Sequence, residues 1–121
     1  MNQIGIFKSA RDKIAAAPGE VIFDRGDAGN VMYAVLDGQI DITLGDEVLE
    51  TVGPGGIIGE LALVDESPRS ARAVARVASQ LARVDQREFT FLVQEHPTFA
   101  LQVMRVLAER IRRANAAREH A

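Results

Sequence analysis

Closely spaced glycines limit what the middle of this chain can fold into. The breaks fall at Pro18-Gly19, Asp37-Gly38, Gly45-Asp46 and Gly53-Pro54-Gly55-Gly56. Because glycine and proline interrupt regular structure, breaks at this spacing indicate short segments joined by turns. In one of them, Ile40, Ile42 and Leu44 alternate with polar neighbours, a period of two that indicates a half-buried antiparallel strand. The middle of the chain is therefore predicted to consist of short strands.

These strands are predicted to form an antiparallel sheet that closes on itself. Asp37-Gly38 predicts a tight hairpin between residues 33–36 and 39–44, because both central positions of such a turn favour positive φ. Gly45-Asp46 then turns the chain into residues 47–52, and residues 72–84 supply further strands. Short strands with such turns are typical of a barrel-like or jelly-roll sheet. With 121 residues, of which 47% are hydrophobic, the chain fits a single domain over residues 1–121.

Helical patterns are predicted on both sides of the strands. Residues 1–17 show a loose helical pattern that ends at Pro18. Asp85, followed three positions later by Glu88, resembles a capping box at the start of a second helical region. His96-Pro97 interrupts this region, because proline disfavours helix in the residue before it yet suits a first helical position. We expect an N-terminal helical segment over 1–17, strands over 18–84 and two helices over 85–121.

The second of these helices carries two apolar stripes. One follows heptad spacing and contains Ala100, Met104, Leu107, Ile111 and Ala114. The other contains Phe99, Val103 and Val106. One stripe can pack on the sheet and the other on a partner, although a single broad face packed within the same chain remains the alternative.

Residues 58–71 are the part of the chain that predicts a specific chemistry. Gly59, at the entrance to a short helical turn, would let a ligand approach the backbone closely, and the first N-H groups of that turn favour an anion. Arg69 adds a planar fork of donors that suits two phosphate oxygens. Glu60 would repel a phosphate, so we expect it to accept hydrogen bonds from ligand hydroxyls such as a ribose 2'-OH. Together these residues predict a receptor for a sugar phosphate.

The order of these residues resembles a known family. Ile58-Gly59-Glu60-Leu61-Ala62-Leu63 with Pro68-Arg69-Ser70-Ala71 is similar to the phosphate-binding cassette of cyclic-nucleotide-binding domains, as in the catabolite activator protein and protein kinase A regulatory subunits. Residues 18–23, Gly26-Asp27 and residues 32–40 match the order and spacing of the family's early strands and turns. The resemblance implies an antiparallel β-roll, a double-stranded β-helix of jelly-roll-like form, with its cassette at residues 58–71. It implies a ligand site made of Gly59, Glu60, Leu61, Ala62, Arg69 and Ser70.

The resemblance also implies a regulatory domain that is not an enzyme. A bound cyclic nucleotide would draw in the C-terminal helices, and a residue of the last helix would cap the base. We predict Asn115 for this role because, unlike Ala114, it has a side-chain amide. Resemblance to bacterial regulators favours cAMP over cGMP, since the hydroxyl of Ser70 is compatible with either. We expect a stand-alone domain without a DNA-binding domain, whose output is an unidentified protein effector or a homodimer formed through residues 97–118.

Composition narrows the function classes and leaves two alternatives. A net charge of -3 gives no general reason to bind nucleic acid, and no segment approaches the roughly 18 apolar residues of a membrane span. The absence of cysteine is compatible with a cytoplasmic location. One alternative is a ligand-independent dimerisation or interaction module with the same fold. The remote alternative is a cupin-like metal enzyme, but His96 and His120 are the only histidines, so we predict no catalytic or metal-binding residues.

Overall fold

The computed structural model describes residues 12–65 and 67–119, which form two antiparallel sheets and three helices. The strands are β1 (Lys13–Ala16), β2 (Val21–Phe23), β3 (Val31–Asp37), β4 (Ile40–Leu44), β5 (Glu47–Val52), β6 (Ile57–Ile58), β7 (Arg72–Ala75) and β8 (Ser79–Asp85). The helices are α1 (Leu61–Asp65), α2 (Gln86–Glu95) and α3 (Pro97–Glu119). One sheet has the order β1-β8-β3-β6 and the other β2-β7-β4-β5. The predicted antiparallel β-roll with two C-terminal helices is confirmed.

Strand β3 is shared by two hydrophobic cores. The core between the two sheets includes Tyr33, Val35, Ile40, Ile58 and Leu81. The core between the first sheet and the helices includes Met32, Ala34, Val84, Leu92 and Phe99. Because successive strand residues point to opposite faces, β3 supplies both cores, which explains why its first five residues are all buried. The first sheet thus joins the two cores through β3, β6 and β8.

The turn at Asp37-Gly38 does not form the predicted hairpin. β3 pairs with β6 and β8, whereas β4 pairs with β5 and β7, so this turn carries the chain from one sheet to the other. Gly38 has a φ of 93°, and a Cβ there would lie 2.1 Å from the Ser79 hydroxyl oxygen. Glycine is therefore needed at this corner, because a side chain would clash with Ser79. β3 itself is buried on both faces and pairs with strands other than β4. The next turn, Gly45-Asp46, is the hairpin, with Leu44 opposite Glu47.

The first described segment is a strand where the sequence pattern predicted helix. Lys13–Ala16 forms β1 and pairs antiparallel with β8, with Ile14 opposite Leu81. Pairing with β8 satisfies backbone N-H and C=O groups along that edge, and this tertiary contact outweighs the helix preference of the alanines. The helical prediction for 1–17 is wrong over these four residues. Its part over residues 1–11 lies outside the described residues.

The two C-terminal helices begin and end where the sequence predicted. The Asp85 carboxylate accepts a hydrogen bond from the Glu88 amide at 2.8 Å, which caps α2, and α3 starts at Pro97. The Phe99 ring is fully buried and its centre lies 5.5 Å from that of Phe89. On the other side of α3 the side chains of Leu101, Met104 and Ile111 are exposed. One stripe of α3 thus packs on the core, and the opposite side carries exposed apolar residues.

Candidate functional site

A cleft of about 100 Å³, partly open to solvent, lies where the cassette meets the second sheet and α3. Its lining consists of Phe23, Ile42, Ile58, Gly59, Glu60, Leu61, Ala62, Ser67, Pro68, Arg69, Ser70, Ala71 and Arg110. The fold therefore brings together every predicted ligand residue except Asn115.

Arg69 is fixed in the wall of this cleft. Its side chain is buried, donating from Nη1 to the Gly59 carbonyl at 3.0 Å and from Nη2 to the Val31 carbonyl at 2.8 Å. The guanidinium carbon lies 4.3 Å from the centre of the Phe23 ring, a cation-π distance. These contacts come from separate parts of the chain, β2, β3 and the cassette, so the folded sheet determines where the charge is held.

The Arg69 guanidinium forms no salt bridge among the described residues, and the nearby charge of Asp27 acts on it without direct contact. None of their carboxylates forms a salt bridge with it, and its Nε atom is buried without a hydrogen-bond acceptor. Burial lowers the pKa of the guanidinium, although an arginine remains protonated near neutral pH. A buried charge without a salt bridge is unfavourable, so an anion that enters the cleft gains a favourable electrostatic interaction.

Glu60 is the second buried charge of the cleft, with only 4% of its surface exposed. Its Oε1 atom accepts a hydrogen bond from Nη1 of Arg110, a residue of α3. This pairing compensates the charge of the carboxylate. It also leaves Oε2 as an acceptor for a ligand hydroxyl.

Arg110 connects α3 to the cassette and to the second sheet. Besides Glu60, it donates from Nε to Glu50 Oε1 and from Nη2 to the Ile57 carbonyl, each at 3.1 Å. Arg113, one turn further along α3, donates to the same Glu50 oxygen at 3.1 Å. The helix therefore touches the candidate site through a charge network that spans β5, β6 and the cassette.

The sequence analysis did not assign Arg110 to the site. Arginine-rich residues of the last helix usually form a solvated face, and Arg110 gives no motif of its own. The available signal is its position, because Phe99, Val103, Val106 and Arg110 follow one another at spacings of four, three and four. A charged side chain that continues a core-facing stripe needs a polar or oppositely charged partner on the side of the helix that packs against the protein.

The Glu50 carboxyl provides a pH test of this network. Burial raises its pKa, but hydrogen bonds and charge interactions with Arg110 and Arg113 outweigh burial and hold it below its ordinary value of about 4.5. A lowered folded-state pKa means that Glu50 stabilises the fold above about pH 4.5 and that this contribution is lost as the pH falls through the folded-state value.

Replacing Arg113 with alanine is expected to raise the pKa of Glu50, because burial remains while one of the two arginines is removed. Carboxyl ¹³C shifts followed by NMR from pH 2 to 7 measure the change. Arg112→Ala, on the exposed side of the same helix, is the control and should leave the titration unaltered. An identical Glu50 titration in Arg113→Ala would contradict the network.

Asn115 does not line the cleft. It is exposed on α3, five residues beyond Arg110, and so points about 140° away from that side chain around the helix. Its predicted contact with a ligand base stays a prediction.

Other site types find little support in the part of the chain that the structure describes. No group of three or more His, Cys, Asp or Glu side chains within residues 12–65 and 67–119 is arranged to hold a metal ion. Among those residues, no helix has the length and apolar character needed to cross a bilayer.

Comparison with known proteins places these features in a family. Residues 13–96 match the family described as "Cyclic nucleotide-binding domain". The chain is 34% identical over 102 residues to "Cyclic AMP receptor protein" of Thermus thermophilus, which covers 80% of this chain and 47% of that protein. It is 34% identical over 108 residues to "Lysophospholipase nte1" of Aspergillus oryzae, but spans only 7% of that protein. The chain thus spans less than half the length of these curated relatives.

Solved structures agree with this assignment. The catabolite activator protein of Thermus thermophilus superposes with a TM-score of 0.78 at 31% identity, covering 89% of this chain and 53% of that one. A structure described as "A cyclic-GMP-dependent signalling pathway regulates bacterial phytopathogenesis" superposes with a TM-score of 0.76 at 34% identity, covering 90% of both chains.

Proposed function

Because the chain belongs to the cyclic nucleotide-binding domain family, we propose that it binds a cyclic nucleotide, cAMP in preference to cGMP, and signals through its C-terminal helices. The proposed activity is regulated binding and not catalysis. The observation that carries the proposal is the buried guanidinium of Arg69, which lines the cleft without a carboxylate partner among the described residues.

The phosphate is proposed to bind beside Arg69. Two of the five N-H groups of an arginine are used here for the Gly59 and Val31 carbonyls, which fixes the plane of the guanidinium. The remaining N-H groups of Nη1 and Nη2 can pair with a phosphate oxygen without further loss of side-chain conformational entropy. The amides of Ala62 and Leu63 are bonded to the carbonyls of Gly59 and Glu60. The amides of this turn that remain for the phosphate are therefore those that precede Ala62.

The ribose is proposed to bind beside Glu60. A carboxylate accepts hydrogen bonds and cannot donate them, so Oε2 suits a sugar hydroxyl and disfavours a second phosphate. Apolar lining residues, among them Phe23, Ile42 and Leu61, supply contact area for the rest of the ligand. Phosphate and ribose would thus occupy positions of opposite charge within one cleft.

The preference for cAMP rests on the relatives. The Thermus protein is described as a cyclic AMP receptor, whereas one solved structure is described with a cyclic-GMP-dependent pathway. Ser70 is exposed at the cleft, and its hydroxyl can hydrogen-bond to either ligand. The base is therefore the least constrained part of the proposal, and a cytoplasmic location likewise stays a prediction.

Signalling is proposed to run through Arg110. A ribose hydroxyl that binds Glu60 acts on the same carboxylate that holds Arg110, so ligand binding changes the free energy of the contact between the cassette and α3. The partner that responds to α3 is proposed to be a second copy of the chain or another protein.

Dimerisation through α3 is the proposed form of that output. Met104 and Ile111 are 60% and 61% exposed and lie seven residues apart on the side of α3 that faces away from the core. Two such faces would bury one another in a parallel or antiparallel helix pair.

Replacing both Met104 and Ile111 with aspartate is expected to convert a dimer into a monomer, because apposed carboxylates repel. Analytical ultracentrifugation measures the mass, and circular dichroism verifies the fold. Replacing the exposed Val48 on β5 with aspartate is the matched control. A wild-type protein that is monomeric at all concentrations and with nucleotide would contradict dimerisation through residues 97–118.

Isothermal titration with cAMP and with cGMP tests the function itself. We expect saturable binding of both, tighter for cAMP. The absence of binding for both nucleotides at millimolar concentration would refute the proposal. A tight dimer that binds neither nucleotide would instead support a ligand-independent interaction module, and tighter binding of cGMP would reverse the base preference alone.

A further inference from the structure

Gly29, which lies between β2 and β3, lies against the Nε side of the Arg69 guanidinium. A Cβ atom at Gly29 would lie 2.4 Å from Nε, 2.5 Å from Cζ and 2.8 Å from Nη2 of Arg69. Contacts this short do not occur between ordinary carbon atoms and their neighbours. Since Nη1, Nη2 and the ring face are already taken up by Gly59, Val31 and Phe23, the guanidinium fills the space that a side chain at residue 29 would need.

The backbone itself does not require glycine at this position. The φ of Gly29 lies outside the left-handed region, in contrast to Gly59, whose φ is 73°. An alanine at residue 29 therefore meets no conformational penalty of the kind that favours glycine. The three atoms nearest to a Cβ at Gly29 all belong to the arginine.

We propose that Gly29 is a positioning residue: because it has no side chain, it leaves the space that the Arg69 guanidinium occupies. A methyl group there pushes the flexible end of the arginine away from the Val31 and Gly59 carbonyls, while the strands on either side keep their pairing. The inference deepens the proposed nucleotide-binding function and rests on it where affinity is concerned. It predicts that a surface loop residue outside the cassette controls the geometry of phosphate recognition.

The position of the guanidinium can be observed without any ligand. The Nε atom of Arg69 is enclosed, so its N-H proton should exchange slowly with water and give a resolved ¹H-¹⁵N signal. The signal is identified by its absence in Arg69→Ala. In Gly29→Ala we expect it to shift and to exchange faster with water. Gly53→Ala is the matched control, because Gly53 also lacks a positive φ and a Cβ there meets nothing within 4 Å.

Affinity for cAMP gives the second readout. Gly29→Ala is expected to weaken binding roughly ten- to a hundredfold, the range for losing a hydrogen bond to a charged group, whereas Gly53→Ala should stay within about twofold of wild type. In an Arg69→Ala background, Gly29→Ala should leave the melting temperature unchanged, because the clashing group is gone.

These measurements separate the inference from the function it rests on. An unchanged Nε signal and unchanged affinity in a folded Gly29→Ala protein would overturn the inference. A global loss of dispersed NMR signals in Gly29→Ala, also in the Arg69→Ala background, would overturn it as well, since the glycine would then serve the fold. If wild-type protein binds neither cAMP nor cGMP, the proposed function fails, and the Nε signal still decides whether Gly29 seats Arg69.

Discussion

Replacing Arg69 with alanine is expected to weaken cyclic nucleotide binding by roughly a hundredfold or more. The guanidinium is the only buried cation that the described residues place in the cleft without an anionic partner, and hydrogen bonds to charged groups contribute about 1.5 to 3 kcal/mol each. Two such bonds to a phosphate correspond to at least a factor of a hundred. Isothermal titration of the variant with cAMP measures the loss.

Arg72 offers the matched control for this experiment. It lies three residues further along the chain and forms a surface ion pair with Asp24, with half of its side chain exposed. Arg72→Ala should therefore bind cAMP as tightly as wild type. Unchanged affinity in a folded Arg69→Ala protein would remove the arginine from the site and with it the physical basis of the proposed function.

Replacing Arg110 with methionine is expected to lower the free energy of unfolding by about 2 to 3 kcal/mol in the absence of ligand. The substitution leaves the Glu60 carboxylate buried without its partner, and removing one member of a buried ion pair is strongly destabilising. The expected loss of unfolding free energy is smaller than for a fully buried ion pair because a quarter of the Arg110 side chain is exposed. Urea denaturation followed by circular dichroism measures the change.

Two further variants separate the ion pair from a general effect on α3. Arg112→Met changes an exposed arginine of the same helix and should leave stability within about 0.5 kcal/mol of wild type. Glu60→Gln in the Arg110→Met background removes the unpaired charge and should recover part of the lost stability. A fully stable Arg110→Met protein would show that the contact does not hold α3 to the cassette.

The residues that the sequence analysis assigned to the cassette line one cleft, and they lie close together along the chain. Gly59, Glu60 and Arg69 lie within 11 residues, and each is required for a local reason: a positive φ, an acceptor and a fixed cation. The cap of α2 at Asp85 and the break before Pro97 were predicted for the same reason, since caps are satisfied within four residues.

The errors concern pairing between distant segments. Asp37-Gly38 has the composition of a hairpin turn, yet β3 is buried on both faces and takes its partners from β6 and β8. Lys13–Ala16 becomes a strand because it pairs with the edge of β8, whose partner residues lie 63 to 69 positions further along the chain. Local composition does not encode such partners.

Arg110 and Gly29 show the same limit within the site. Each acts on a cassette residue 40 or more positions away, Arg110 through Glu60 and Gly29 through Arg69. In the sequence, the first belongs to a basic helix and the second to a polar loop, and neither pattern points to a ligand. Their roles follow only from the folded arrangement of the sheets and α3.

The attachment of α3 has a mechanical consequence. α3 packs on the core near its start through Phe99 and Val103 and is held again by Arg110, about 16 Å beyond Phe99. A helix held at both places cannot pivot, but once the Arg110 contact loosens, the packed first turns become a pivot. A small displacement at Glu60 would then grow along the part of α3 that extends to Glu119.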